Sequence, residues 1–226
     1  MSVNLKNVTF SYPDIPNKPI IAIETWSVSK QEKVFLHGPS GGGKSTLLNL
    51  LSGILQPDVG EILVLNKNLG QMNNAERDKF RANHIGYIFQ QFNLIPYLNA
   101  VENIQLAQRF TKDTSKSLGE VGIKKILNTF HISNTDSIAP TGKLSIGQQQ
   151  RIAIVRAMIN QPEILIADEP TSSLDEMNKN IFMSELLEMI SKQNTTLIFV
   201  SHDLSLTHNF DRIDTLEEIN SLKESQ

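Results

Sequence analysis

The sequence predicts an α/β fold in which a mainly parallel sheet is flanked by helices. Apolar runs such as Ile85–Phe89, Ile164–Ala167 and Thr195–Val200 alternate with longer segments of helical character. Runs of this kind are typical of strands buried on both faces of a parallel sheet. Two further observations support this fold class. The run Val34–Leu36 leads into a glycine-rich loop, and Ile164–Ala167 ends in two carboxylates at the sheet edge where α/β proteins bind ligands.

The elements are expected in the following order. Val3–Tyr12 alternates polar and apolar residues and is predicted to be an edge strand. The other predicted strands are Ile20–Trp26, Lys33–Leu36, Glu61–Leu65, Ile85–Phe89, Ile164–Ala167 and Thr195–Val200. The first predicted helix runs from the glycine-rich loop to a C-terminal cap at Gly53, and the others span Ala75–Ala82, Val101–Phe110, Gly122–Phe130, Ser145–Asn160 and Asn178–Lys192, with a polar loop at Thr111–Leu118.

The glycine-rich loop, GPSGGGKST, matches the phosphate-loop pattern G-x-x-x-x-G-K-[ST] between a strand and a leucine-rich helix. Its glycines let backbone N–H groups curl around a phosphate, and the helix adds its positive N-terminal end. Lys44 is predicted to reach the terminal phosphates and the Ser45 hydroxyl to ligate Mg²⁺. A glycine-rich turn that binds nothing is disfavoured by this context. The predicted phosphate-binding residues are Gly38, Pro39, Ser40, Gly41, Gly42, Gly43, Lys44, Ser45 and Thr46.

The composition is ordinary for a globular protein. The 226 residues include 39% hydrophobic and 20% charged residues, with a net charge of −3, which does not favour nonspecific nucleic-acid binding. The lack of cysteine excludes disulfides and thiolate metal sites. No apolar run approaches the roughly 18 residues that cross a bilayer, and the first residues alternate like a strand rather than a secretion signal. We therefore expect a cytoplasmic protein that reaches a membrane only through a partner.

The two carboxylates after the buried strand are candidates for catalysis. Asp168 is placed to hold Mg²⁺ through its water shell, and Glu169, one residue further on, is placed to polarise a water for attack on the γ-phosphate. Two acids that merely cap the next helix are the alternative. That alternative is weaker here because a phosphate loop precedes them in the chain.

Polar side chains follow two other predicted strands. His202 comes just after Leu197–Val200 and could donate to the γ-phosphate or hold Glu169 and the water in line. A solitary histidine there is more often a surface residue, so this prediction depends on the others. Gln90 follows Ile85–Phe89, and its amide could bind Mg²⁺ or the attacking water, a role for which Gln91 competes.

The segment LSIGQ, residues Leu144–Gln148, leads into a long helix. A serine hydroxyl and free N–H groups at a helix start form an anion site. A plain serine cap explains the same residues equally well. If the segment binds phosphate, Ser145, Gly147 and Gln148 would contact a γ-phosphate held by a second copy of the chain.

Together these motifs resemble an ATP-binding cassette (ABC) ATPase, in order and spacing, over nearly the whole chain. The resemblance rests on GPSGGGKST, Gln90, LSIGQQQR, ILIADEPTSSLD and His202. It implies ATP and Mg²⁺ as ligands, and a P-loop NTPase core with an N-terminal antiparallel β subdomain at residues 1–90 and 160–226. An inserted helical signature subdomain is expected at residues 91–159. It also implies that Tyr12 stacks on adenine and that Asp175 lies in a loop that crosses to the opposite site.

Within that family, the segments IGYIFQQFNLIPYLNAVENI and LSIGQQQRIAIVRAMINQP most resemble the lipoprotein-releasing, macrolide-exporter and cell-division branch. The resemblance implies a homodimer formed on ATP and an integral membrane permease subunit, with or without a periplasmic adaptor. No nucleic-acid partner is expected. A soluble ABC ATPase acting on DNA or ribosomes and a nucleotide-gated cell-division scaffold remain the alternatives. An apolar stretch after Gln90, residues 92–97, is expected to be either core or a docking patch, with docking favoured.

Three departures from the family pattern carry expectations. Ile146 stands in the signature where glycine is usual, which restricts the backbone but is expected to leave activity. The segment Lys30-Gln31-Glu32 contains no glycine where the family usually has one, and this difference should affect only a turn. The C-terminal segment lacks the customary Asp-Gly turn, so we expect a degraded last strand and hairpin.

Overall fold

The computed structural model describes residues 1–111 and 117–222. The predicted loop Thr111–Leu118 therefore lies mostly outside the described residues. The strands are β1 (Val3–Phe10), β2 (Ile21–Val28), β3 (Lys33–His37), β4 (Val59–Val64), β5 (Lys67–Asn68), β6 (Ile85–Ile88), β7 (Ile164–Asp168), β8 (Thr196–Val200) and β9 (Arg212–Thr215). The helices are α1 (Lys44–Leu51), α2 (Asn74–His84), α3 (Ala100–Arg109), α4 (Glu120–Thr129), α5 (Asn134–Ser137), α6 (Ile146–Met158), α7 (Glu176–Gln193) and α8 (Leu216–Ile219).

The chain divides into two compact units. The first comprises Met1–Arg81 and Thr196–Gln226, and the second comprises Ala82–Thr195. Among the described residues, no helix has both the length and the apolar character needed to span a bilayer.

The first unit contains an antiparallel sheet and a set of parallel strands. The antiparallel sheet has the order β2-β1-β4-β5. In the parallel set, β3 pairs with β8 on one side and β9 on the other. The three central residues of β3, Val34, Phe35 and Leu36, are fully buried, as expected for a strand covered on both faces. The α/β class and the antiparallel β subdomain predicted from the sequence are both confirmed.

The second unit is built around α6. The helix packs against α3, α4, α7 and β6, and its C-terminal half is buried on several sides, at Ile152, Ala153, Ile154, Val155 and Met158. β6 and β7 pair in parallel, from Ile85 opposite Ile164 to Ile88 opposite Ala167. At Gly86 of β6 a side chain would lie 2.5 Å from the carbonyl oxygen of Ala157, so this position needs glycine for α6 to pack closely on β6.

Two predictions of the sequence are wrong. β1 is not an edge strand, because it pairs with both β2 and β4. Its alternating pattern shows only that one face is exposed, and that holds for central and edge strands of an antiparallel sheet alike. The last strand is also not degraded: β9 pairs with β3 from Val34 opposite Arg212 to His37 opposite Thr215. The predicted loss of the hairpin is confirmed for the described residues, because β9 runs directly into α8 and no described strand follows it.

Candidate functional site

The predicted phosphate loop leaves β3 and ends at the first turn of α1. Gly41 and Gly43 have φ values of 79° and 102°, which side chains adopt only with strain. A side chain at Gly43 would also lie 3.1–3.3 Å from atoms of Ile20 and Ile21. The N-cap of α1 is Gly43, which offers no side-chain cap, and the first turn contains no acidic residue. The loop therefore presents backbone N–H groups and a helix N-terminus, which is the donor set that suits a phosphate.

Lys44 is buried, with 7% of its surface exposed, and its ammonium group stays within the loop. Nζ donates to the carbonyl oxygens of Gly38 and Pro39 at 2.8 and 2.9 Å. These hydrogen bonds hold the positive charge of Lys44 beside the curled backbone, where it would attract an anionic ligand.

Tyr12 lies two residues beyond the end of β1 and is joined to α1. Its hydroxyl is hydrogen-bonded to Oγ1 of Thr46 at 2.9 Å, and its ring meets Phe10 edge to face, with centroids 5.1 Å apart. The aromatic ring predicted to stack on adenine is thus attached to the helix that follows the phosphate loop.

His202 lies at the same edge of the parallel strands as the phosphate loop. Leu36 of β3 is paired with Val200 of β8, so Gly38 and His202 each stand two residues beyond that pair. The His202 side chain is exposed. The strand register therefore brings together two of the sequence-predicted stretches within the first unit.

The second unit repeats this arrangement with Gln90 and the carboxylates. Ile88 of β6 is paired with Ala167 of β7, so Gln90 and Glu169 each stand two residues beyond the pair, and Asp168 ends β7. Burial raises the pKa of the Tyr87 hydroxyl well above its usual value, and the charge of Asp168 adds to that effect.

Glu169 has an unusual backbone for its residue type. It is buried, with 9% of its surface exposed, and its φ is 50°, in the left-handed region that costs a residue with a side chain about 1–2 kcal/mol. Backbone strain of this kind is concentrated at functional sites. The turn is supported from α6, because Nε2 of Gln150 donates to the carbonyl oxygen of Pro170 at 3.0 Å.

The signature segment starts α6 with a capping box. The backbone N–H of Gln148 donates to Oγ of Ser145 at 3.2 Å, and the backbone N–H of Ser145 donates to Oε1 of Gln148 at 3.0 Å. Ile146 is the first helical residue and is 54% exposed, so the structure accommodates its side chain outside the core. Of the other departures, Gln31 adopts φ 63° in the turn that lacks glycine, and its N–H donates to Thr196 Oγ1 at 2.9 Å.

Asp175 caps α7 close to the signature segment. Its Oδ1 accepts from the backbone N–H of Asn178 at 2.8 Å, and its Oδ2 accepts from the Asn178 side chain at 2.9 Å. These hydrogen bonds, led by that from the backbone of Asn178, hold the pKa of Asp175 below its usual value. A Cβ atom at Gly147 would lie 3.8 Å from Oδ1 of Asn178, so the starts of α6 and α7 are neighbours.

Comparison with known proteins matches this arrangement to a family. The family model described as ABC transporter matches residues 23–172. An uncharacterised ABC transporter ATP-binding protein of Methanocaldococcus jannaschii, MJ0796, is 36% identical over 96% of this chain and 93% of its own length. The chain belongs to the ABC transporter ATP-binding family. This ABC ATPase is also 36% identical to the lipoprotein-releasing system ATP-binding protein LolD of Hydrogenovibrio crunogenus, over 88% of this chain and 86% of LolD.

Solved structures of ABC proteins show the same fold. MJ0796, in a dimeric post-hydrolysis state bound to ADP and Pi, superposes with a TM-score of 0.84 at 34% identity, covering 94% of this ABC ATPase and 93% of that chain. CbiO1 from Clostridium perfringens, part of the ABC transporter complex cbiONQ, gives a TM-score of 0.78 at 26% identity, covering 95% and 84%. The P-loop NTPase fold is confirmed, and the chain is an ATPase that binds adenine nucleotide.

Sequence reasoning missed two contacts of this ABC ATPase, both made by α6. Gln150 supports the turn after Glu169, and Arg156 donates to the backbone just after Gln90. The sequence does contain a signal for the contact of Arg156. It is a cation in the apolar segment IAIVRAM, where a guanidinium needs acceptors nearby.

Proposed function

We propose that this chain is the ATP-hydrolysing subunit of an ABC transporter, and that two copies close head to tail on two ATP molecules to drive a membrane subunit. The observation that carries the proposal is the pair of strand registers. They set the phosphate loop level with His202 in one unit and Gln90 level with Glu169 in the other. Dimer formation is supported by the dimeric structures of the related MJ0796.

Each predicted residue has a role in this proposal. The phosphate loop and Lys44 bind the phosphates, and Tyr12 contacts adenine. Ser45, Gln90 and Asp168 would hold Mg²⁺, a hard cation that suits their oxygen donors and whose remaining ligands are water and phosphate.

Glu169 polarises the attacking water, and His202 orients it. Ser145, Gly147 and Gln148 of the other copy contact the γ-phosphate, with Asp175 near the crossing between sites.

The proposal is tested with Glu169→Gln. The amide keeps the size of the side chain but cannot accept the proton of the water, so we expect kcat to fall about 10²- to 10³-fold while ATP binding is retained. The variant should accumulate as an ATP-bound dimer, which sedimentation velocity with and without ATP would detect. Glu163→Gln, an exposed residue just before β7, is the matched control. Turnover at the wild-type rate in Glu169→Gln would remove Glu169 from the role of base.

A docking site for the membrane subunit is proposed at residues 94–97, the docking loop. Phe92, which precedes it, is buried and belongs to the core, whereas Tyr97 is 78% exposed. The loop is nonetheless held firmly. Asn103, 1% exposed, accepts from the N–H of Ile95 at 2.8 Å and donates to the carbonyl oxygens of Ile95, Leu98 and Asn99. An exposed tyrosine on a fixed loop suits an interface anchor.

Affinity purification from detergent-solubilised native membranes would identify the proposed membrane subunit. We expect a polytopic membrane protein to copurify with the wild type and to be lost with Tyr97→Glu. This result would place the chain on the cytoplasmic face of the membrane. Recovery of ribosomes or DNA instead would favour a soluble ABC ATPase, which is the competing function.

A further inference from the structure

The segment that follows Gln90 contains two consecutive residues in a backbone conformation that favours glycine. Phe92 and Asn93 have φ values of 58° and 48°. Asparagine tolerates this region, but phenylalanine does so at a cost. The Phe92 N–H donates to the carbonyl oxygen of Phe89 at 2.9 Å, which closes a turn over Gln90. The turn 89–93 therefore fixes the backbone of Gln90, and it needs support from outside itself.

That support comes from Arg156, on the last turns of α6. Its two terminal nitrogens donate to the carbonyl oxygens of Asn93 and Phe92 at 2.5 and 2.6 Å. The planar guanidinium thus spans both strained residues at once. Arg156 is half-buried, and this burial lowers the pKa of its guanidinium, while the two carbonyl oxygens stabilise the charge.

The same helix begins at the signature segment. α6 runs without interruption from Ile146 to Met158 and is fixed by its packing against α3, α4, α7 and β6. A displacement of the signature end of α6 would therefore be passed to Arg156 and, through two hydrogen bonds, to the turn over Gln90.

We infer that Arg156 is a positioning residue that ties the turn over Gln90 to the signature helix. Gln90 would then be placed for hydrolysis only when α6 is correctly oriented. This inference rests on the role proposed for Gln90, and the experiment separates the two.

The test compares Arg156→Met with Arg151→Met, since both arginines lie on α6. Arg151 pairs instead with Glu185 of α7, with Nε 3.0 Å from Oε1, and forms no hydrogen bond with the described residues of the turn. We expect Arg156→Met to lower kcat about 10-fold or more with KM for ATP changed less than about threefold, because misplacement affects the reacting arrangement rather than nucleotide binding. Hydrogen exchange should rise in a peptide covering residues 88–99. Arg151→Met should lower Tm while leaving kcat and that peptide unchanged.

Two further variants complete the test. Arg156→Lys keeps the charge but has no planar fork, so its kcat should lie between those of the wild type and Arg156→Met, and it is the variant to use if Arg156→Met does not fold. Combining Arg156→Met with Gln90→Ala should lower kcat no further than Gln90→Ala alone, because both act on one element. Independent, multiplicative losses, or a normal kcat in both Arg156 variants, would overturn the inference. If Gln90→Ala itself turns over normally, the role proposed for Gln90 is wrong instead.

Discussion

Ser145 caps α6 and is also the residue proposed to bind the γ-phosphate of the other copy. Its hydroxyl caps α6, and the matching contact from Gln148 completes the capping box. The structure therefore confirms that the serine of LSIGQ is a helix cap. Capping and anion binding do not exclude each other, because the hydroxyl has a second lone pair and a proton.

Substitution at Ser145 separates the two roles. Ser145→Asp keeps a good N-cap but places a negative charge where the γ-phosphate of the other copy is proposed to lie. We expect unchanged or higher thermal stability together with loss of ATP-dependent dimerisation. Ser145→Ala should behave in the opposite way, losing about 1 kcal/mol of stability while retaining part of the dimerisation. Thermal unfolding and sedimentation velocity measure the two effects, and dimerisation by Ser145→Asp at the wild-type ATP concentration would show that Ser145 is only a cap.

At the scale of single residues, the sequence carries signals for chemistry but few for backbone conformation. Lys44, Glu169 and His202 are predicted site residues because a residue type at a fixed spacing implies a reaction. The left-handed backbone of Gln31, Phe92 and Glu169 has no such signal, since none is glycine and only the surrounding structure holds each one there. The contacts of Arg156 were missed for the same reason, because its acceptors are backbone carbonyls more than sixty residues away in the chain.

Among the elements, α3 supports the docking loop through one side chain. Asn103 makes four hydrogen bonds to the backbone of residues 95–99 and is almost fully buried. Asn103→Ala removes the acceptor of the Ile95 N–H, whereas the three carbonyl oxygens keep other donors from the backbone or from Thr141. We expect the free energy of unfolding to fall by about 1–3 kcal/mol. Asn180→Ala, at an exposed position of α7, should change it by less than about 0.5 kcal/mol. Urea denaturation measures both. Equal losses in the two variants would mean that the loop does not depend on Asn103.

The start of α7 gives a prediction of pH dependence. Hydrogen bonds from Asn178 lower the pKa of Asp175 in the folded state, so the carboxylate stabilises the fold above its unfolded pKa of about 3.9, and this stabilisation is lost as the pH falls through the lower folded value. Asp175→Asn keeps the cap without the charge. We expect its Tm to be lower than that of the wild type at pH 7 and equal to it near pH 2. Asp14→Asn, in the exposed loop after β1, controls for loss of a surface carboxylate, and a Tm difference independent of pH would contradict the prediction.

Most elements could be predicted from periodicity, and the failures have physical causes. Buried runs such as Ile164–Ala167 and Thr196–Val200 admit few alternatives, so β7 and β8 were found almost to the residue. The position of β1 between two neighbours depends on its pairing with β4, whose residues lie 50 to 61 positions later in the chain. β9 is short and half-exposed, with Ile213 50% exposed, so its partner β3 defines it more than its own sequence does.

At the scale of the molecule, the order of motifs along the chain was enough to identify the family, because five independent patterns had to occur together. The strand registers add what order alone could not, namely that Gly38 is level with His202 and Gln90 with Glu169. How the signature of one copy meets the phosphate loop of another is a property of two chains, and it has to be tested with two chains.

Mixing two defective variants provides that test. Lys44→Ala lacks the phosphate-loop cation but has an intact signature, and Ser145→Asp has the reverse defect. In a head-to-tail dimer, each site takes its phosphate loop from one copy and its signature from the other. We therefore expect that neither variant dimerises alone, whereas a mixture, prepared in the Glu169→Gln background to suppress hydrolysis, forms mixed dimers with ATP. Each mixed dimer contains one intact site and one with both defects, so its ATP requirement should exceed that of the parent Glu169→Gln protein.

Distinct fluorescent labels on the two variants would report mixed dimers by energy transfer. If each site were instead completed by its own chain, every site in the mixture would remain defective and no ATP-dependent transfer would appear.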